Sequence, residues 1–233
     1  WGKYPPAEAI PILNNAIMNY LQKRFKGSQN IIKNDNILPV PGTREPLHLV
    51  GLIARNNNNK NGVAIVTNPF YHAWRLGGIE SSSKIYWINA NYKNNYNPDL
   101  DSIPKKVLSS ADIMYLCFPS NPQGATTDLN YLIKAINLAR EYNFIIAFDE
   151  CYIDIYRLNK SKPVGALDAL VKMGHSLDNV LIFNSLSKRS NAPGLRAGFI
   201  VGDKKIIDIY KLLVSNGAAP LPIPIQKAAA FFL

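Results

Sequence analysis

Cysteine and histidine are scarce in this chain. Two cysteines, Cys117 and Cys151, lie 34 positions apart, and three histidines, His48, His72 and His175, are scattered. Neither set has metal-ligand spacing, which argues against a zinc site, and one separated pair of cysteines makes no disulfide framework. The thiols read as buried and reduced, in a cytoplasmic protein. No apolar run reaches the ~18 residues needed to cross a bilayer, and no signal-peptide pattern is visible.

Acidic residues are also few. Sixteen Asp and Glu stand against 26 Lys and Arg, for a net charge of +10. The basic residues are scattered, with no arginine-rich stripe and no interleaved aromatic platform, so nucleic acid is not the expected partner. Lysine is abundant together with Asn and Ile, and Asn56 to Asn59 form an unbroken run, as AT-rich codons would produce. An anionic cofactor or substrate suits the basic balance. The chain opens at Trp1 and closes in the apolar, helix-like run 226–233 without a stop signal. We expect an internal piece of a longer protein.

Strand-like runs fall at residues 37–40, 63–67, 84–88, 112–117, 144–148, 180–184 and 198–201. Most are short, continuously apolar and rich in β-branched residues, as strands covered on both faces must be. Helical patterns lie between many of them. Residues 45–55 carry Leu47, Val50, Leu52 and Ile53 on one face. Residues 128–142 carry Leu129, Leu132, Ile136 and Ala139, with Thr126, Thr127 or Asp128 as cap. Residues 10–25 form a further amphipathic helix, while 56–62 and 89–98 read as solvated loops. The alternation predicts an α/β domain with a mostly parallel, seven-stranded sheet and helices on both faces. Residues 1–30 read as a helical lead-in and 31–233 as the large domain.

The polar clusters sit just past the carboxyl ends of these strands, where open α/β sheets bind ligands. They are Gly42-Thr-Arg-Glu45, Asn68-Pro-Phe-Tyr71, Asn121-Pro-Gln-Gly124 and Asp149-Glu-Cys-Tyr152. The most informative run is Ser185-Leu-Ser-Lys-Arg-Ser-Asn-Ala-Pro-Gly-Leu-Arg-Ala-Gly198. It sets Lys188 among hydroxyl residues, eight positions before Arg196. A lysine condenses with an aldehyde, and Ser185 with Arg196 can hold a phosphate. One cofactor carries both groups, pyridoxal 5'-phosphate (PLP).

The remaining clusters supply what that cofactor requires. Asp149, at a buried strand end, would face the protonated pyridine nitrogen, which gives a buried carboxylate its cation; a helix N-cap is the other role open to it, with Glu150 available as a structural carboxylate. Tyr152 and Asn121 can donate to the phenolic oxygen. Tyr71 can stack on the ring. Thr43, Arg44, Ser185 and Arg196 form the phosphate clamp, aided by the free N–H groups where a helix starts after Gly42.

These motifs closely resemble the class I and II aminotransferases, PLP enzymes of fold type I, almost from end to end. Residues 4–13 are similar to the family's segment before its first long helix, with Ala9 where a glycine is usual. Asn121-Pro-Gln-Gly124 stands for the usual Asn-Pro-Thr-Gly. The resemblance implies the site roles above, a homodimer with shared active sites, and Tyr4 reaching the cofactor phosphate of the neighbouring subunit. It also implies that the arginine for the substrate carboxylate lies in a C-terminal small domain past residue 233. Within the family, the motifs are most similar to members that exchange an amino group between N-succinyl-diaminopimelate and its keto acid, with glutamate and 2-oxoglutarate as the other pair, in bacterial lysine synthesis. Carbon–sulfur lyases of the same fold share the cofactor residues. So do non-enzymatic regulators, which carry a DNA-binding module ahead of this part; residues 1–30 show none.

Overall fold

The computed structural model describes residues 2, 4–55, 62–81, 84–174 and 176–233. The expected loop at 56–62 therefore lies, but for Gly62, outside the described residues, as does His175. The strand-like runs become β1 (Ile37–Val40), β2 (Val63–Asn68), β3 (Lys84–Asn89), β4 (Ala111–Cys117), β5 (Ile145–Asp149), β6 (Val180–Ser185) and β7 (Gly198–Gly202). The helices are α1 (Pro11–Arg24), α2 (Arg44–Arg55), α3 (His72–Ser81), α4 (Lys105–Leu108), α5 (Leu129–Glu141), α6 (Ala166–Met173), α7 (Leu186–Arg189), α8 (Lys204–Asn216) and α9 (Ile223–Phe232). Of the three capping candidates for α5, Asp128 takes the role, its carboxylate accepting from Tyr131 N–H at 2.8 Å.

All seven strands form one sheet in the order β1-β7-β6-β5-β4-β2-β3. Pairing is parallel from β6 across to β3, and β7 is antiparallel to both its neighbours, β1 and β6. Since β7 alone runs backwards, its beginning shares an edge of the sheet with the ends of the other six.

Side chains alternate across the sheet with the period of two that pleating imposes. In β4, Ile113, Tyr115 and Cys117 join one core with Leu47, Val50, Trp74 and Tyr210 of α2, α3 and α8. Met114 and Leu116 join the other, with Leu13, Leu132 and Leu170 of α1, α5 and α6. Truncating one of these buried leucines to alanine would cost about 2–5 kcal/mol. Leu52 departs from the expected face of α2: at 38 % exposure it lies off the buried stripe, which runs instead through Leu47, Val50, Ile53 and Ala54. The α2–α3 crossing is close enough that a Cβ on Gly51 would lie 2.8 Å from the Gly77 Cα and nearer still to its carbonyl. Among the described residues, no helix is long and apolar enough to cross a membrane, and no cluster of potential metal ligands occurs.

Candidate functional site

A cleft of about 280 Å³ opens at the carboxyl edge of the sheet. Each wall comes from a different strand exit. Thr43 and Arg44 follow β1, Tyr71 follows β2, Asn121 follows β4, and Asp149 and Tyr152 end and follow β5. Ser185 and Lys188 end and follow β6, and Arg196 precedes β7. Arg196 sits before a strand rather than after one, and reaches the cleft because β7 is reversed. The structure thus brings together nine of the ten residues singled out from the sequence.

Tyr4 is the tenth, and it is elsewhere. It is 99 % exposed and lines a separate, larger groove of about 1520 Å³ with Pro5, Pro6, Pro220, Pro222 and Lys227.

The floor of the cleft is a buried carboxylate. Asp149 closes β5 and accepts hydrogen bonds from Trp74 Nε1–H at 3.2 Å and from Cys151 N–H at 3.3 Å. Both donors are neutral, and burial pushes the carboxyl above its ordinary range. A tight turn rather than a helix follows it, so the N-cap role falls away. Glu150 points to the other side of the sheet, where its Oε1 accepts from Ala166 N–H at the start of α6 at 2.6 Å. The two neighbouring carboxylates therefore take different roles, Glu150 being the structural one.

The rim is cationic. Lys188 Nζ lies 5.9 Å from the centre of the Tyr152 ring. Among the described residues, Arg196 donates to two carbonyls, Pro193 O at 3.0 Å and Pro41 O at 3.4 Å. Arg44 Nε donates to the Tyr71 hydroxyl at 3.1 Å, which joins the aromatic residue to the phosphate-clamp candidates. Among the described residues, no acidic side chain forms an ion pair with Lys188, Arg44 or Arg196. Gly42 is required where it stands: its φ is +80°, and a Cβ there would lie 2.9 Å from Arg196 Cζ and nearer still to Nη2.

Hydroxyl and thiol groups complete the walls. Ser185 Oγ accepts from Ser187 N–H at 3.1 Å and so starts α7. Burial first, then the nearby Cys151, Cys117, Asp149 and Tyr71, push the Tyr152 hydroxyl up, so it remains a proton donor. Cys151, expected as a buried reduced thiol, is free but only half-buried and lines the cleft, with Sγ 3.1 Å from Thr43 Oγ1. Ser187 and Pro193 line it too. Ser187 was within reach of sequence reasoning, being the next hydroxyl in the Lys188 run. Trp74 could have been flagged as three residues past Tyr71 on α3, but its bond to Asp149 spans 75 positions and only the fold shows it.

The donor set suits PLP. Among the described residues, the cleft holds cations without acidic partners together with a buried carboxylate without a cation. A ligand anionic at one end and cationic at the other satisfies both, as a phosphate and a protonated ring nitrogen would.

Comparison with known proteins agrees with this reading. The family model for aminotransferase class I and II matches residues 1–233. An LL-diaminopimelate aminotransferase of Dehalococcoides mccartyi is 31% identical over 227 residues, 97% of this chain and 56% of that protein. One from Aquifex aeolicus is 30% identical over 210 residues, 88% of this chain and 50% of that protein. Among solved structures, an aminotransferase from Neisseria meningitidis matches with a TM-score of 0.90 and 34% identity, over 99% of this chain and 58% of its own. The aminotransferase AspB from Helicobacter pylori matches at 0.87 and 32%, over 99% and 59%. The chain spans about half the length of the curated relatives it matches.

Proposed function

We propose that this chain, which belongs to the class I and II aminotransferase family, is the cofactor-binding part of a PLP-dependent aminotransferase that moves an amino group between an amino acid and a 2-oxo acid. The observation that carries the reading is the charge mismatch of the cleft: Asp149 is buried with neutral donors only, while Lys188, Arg44 and Arg196 lack acidic partners among the described residues.

When bound, PLP supplies an aldehyde for amines and a ring that withdraws electrons from a substrate's α-carbon. The chain's residues do the rest. Lys188 Nζ would hold the cofactor's aldehyde and, when free, would serve as the base that takes the substrate's α-proton. Asp149 keeps a proton on the ring nitrogen. Tyr152 and Asn121 donate to the phenolic oxygen, and Tyr71 covers the ring face. Thr43, Arg44, Ser185, Arg196 and the start of α2 hold the phosphate.

The substrate we propose has the diaminopimelate skeleton, with glutamate and 2-oxoglutarate as the other pair, in lysine synthesis. The motifs resemble those of enzymes for its N-succinyl form, whereas the relatives are named for LL-diaminopimelate. Both share the α-amino acid end on which such a site acts. We further propose a cytoplasmic homodimer in which Tyr4 completes a neighbouring site, and a substrate-carboxylate arginine outside residues 1–233.

The test is the absorption spectrum of the chain with added PLP, before and after borohydride. A visible band fixed by reduction onto the peptide containing Lys188, and lost in Lys188→Ala, supports the reading. No band at excess PLP overturns it. Amino transfer from LL-diaminopimelate and from its N-succinyl form then decides the substrate, and ammonia release in place of transfer would indicate a lyase.

A further inference from the structure

We propose that Asp154 is a positioning residue for Lys188, acting through Arg189; the inference rests on Lys188 being the cofactor lysine. Lys188 and Arg189 are neighbours on α7, which is only four residues long. One helical turn has no cooperative stability of its own, so ties to surrounding elements set its orientation. Two ties hold its start: the Ser185 cap, and Leu186, which is buried and donates its N–H to Ala197 O at 3.1 Å. Arg189 supplies the tie at its end.

Arg189 Nε donates to Asp154 Oδ2 at 3.0 Å, its guanidinium lies over the Tyr20 ring at 4.4 Å, and Nη1 reaches Phe232 O at 3.1 Å. The same carboxylate accepts from the Tyr20 hydroxyl at 2.9 Å and from Arg24 Nε at 2.9 Å. Arg24 also donates through Nη2 to Ile153 O at 3.3 Å and to Pro163 O at 2.6 Å. Donors from α1 and α7 thus converge on one acid in the turn that leaves β5. The side chains of Arg24, Arg189 and Asp154 are 7, 16 and 17% exposed, so water screens the network weakly. Burial pushes the Asp154 carboxyl up, but the hydrogen bonds from Arg189, Tyr20 and Arg24 outweigh it and hold the group below its usual range.

Asp154 follows Tyr152 by two residues and Asp149 by five. Its network therefore fixes the Lys188 turn against the segment that carries both residues. Consecutive helical residues point about 100° apart, so anchoring Arg189 behind the turn aims Lys188 away from the anchor, towards Tyr152. Asp154, Arg189, Tyr20 and Arg24 do not line the cleft, which makes their role one of orientation rather than contact.

The experiment compares Arg189→Met, Arg189→Lys, Asp154→Asn and Tyr20→Phe in this chain. Circular dichroism and urea midpoints establish folding. Two readouts follow: the pH profile of Lys188 acetylation by acetic anhydride without PLP, read by peptide mass spectrometry, and the amount of PLP that borohydride fixes on Lys188. In folded Arg189→Met and Asp154→Asn, the acetylation profile should depart from that of the wild type and trapped PLP should fall about tenfold. Arg189→Lys should recover part of the loss, and Tyr20→Phe should shift less. Folded Arg189→Met or Asp154→Asn with a wild-type acetylation profile would overturn the proposal and reduce the network to a brace. If both fail to fold, Arg189→Lys decides, since it keeps the charge beside Asp154 but not the guanidinium geometry, and a wild-type profile there overturns the idea. A wild-type chain that traps no PLP refutes the cofactor reading instead, while its acetylation profile still reports on Lys188.

Discussion

Glu150→Gln should make the protein more stable, and increasingly so as pH rises. Glu150 is sealed beneath the sheet beside Gly165 and Phe25. Its Oε1 accepts from Ala166 N–H, and among the described residues its Oε2 has no hydrogen-bond partner. Burial is the main cause that pushes its pKa from 4.5 to about 8. In the unfolded chain the proton leaves near the ordinary value. Between these limits the native state therefore binds more protons than the unfolded one, and stability falls as pH rises through that window. At ~1.4 kcal/mol per unit, the loss across the window is on the order of 5 kcal/mol. Glutamine keeps the acceptor for Ala166 and never ionises. Urea unfolding of both proteins at a series of pH values isolates the term, because every other titrating group cancels in the difference. The gap should be flat in acid, widen from about pH 5 to about pH 8, and then level off. In thermal melts it corresponds to roughly 10–20 °C for a domain of this size. Parallel pH profiles would refute the reasoning, since Glu150 would then ionise as readily in the fold as out of it.

Other perturbations have equally definite outcomes. Gly42→Ala should cost about 1–3 kcal/mol and raise the PLP needed for half-saturation about tenfold, because the new methyl displaces Arg196 and strains a left-handed backbone; an unchanged titration would free Arg196 from the clamp. Trp74→Phe removes one donor to Asp149, favours the protonated acid, and should weaken PLP binding about tenfold; unaltered affinity would mean that this bond does not set the charge of Asp149. Asp128→Ala deletes the cap of α5 and should lower stability by about 1 kcal/mol in urea without touching the cleft.

What was legible in the sequence, and what was not, follows from the range of the forces involved. The seven strands were legible to within one residue at each end, because a strand covered on both faces must be a short apolar run between polar turns. The nine cleft residues were legible because each directly adjoins such a run or lies within a few positions of one. Leu52 was misplaced because a leucine one position off the helical stripe looks the same in sequence as one on it. The reversal of β7 was not legible, since a short connection permits the antiparallel choice without announcing it. The Asp154 network was hidden for another reason. Tyr20 and Asp154 are 134 positions apart, and no local pattern links them. Trp74 and Asp149 illustrate the same limit.

The reversed strand also governs the order in which the cleft can come apart. β1 is four residues long, lies at the border of the sheet and, among the described residues, is paired only to β7. Border strands open first in local unfolding, at free energies well below the global value. Thr43 and Arg44 follow β1 within four residues, so its release would carry them away while Lys188, Ser185 and Arg196 stay with the interior strands. One half of the clamp would thus be fastened to a border strand. A ligand that bridges both halves acts as a stitch along that border, and amide exchange in β1 should slow on binding far more than exchange in β4 or β5.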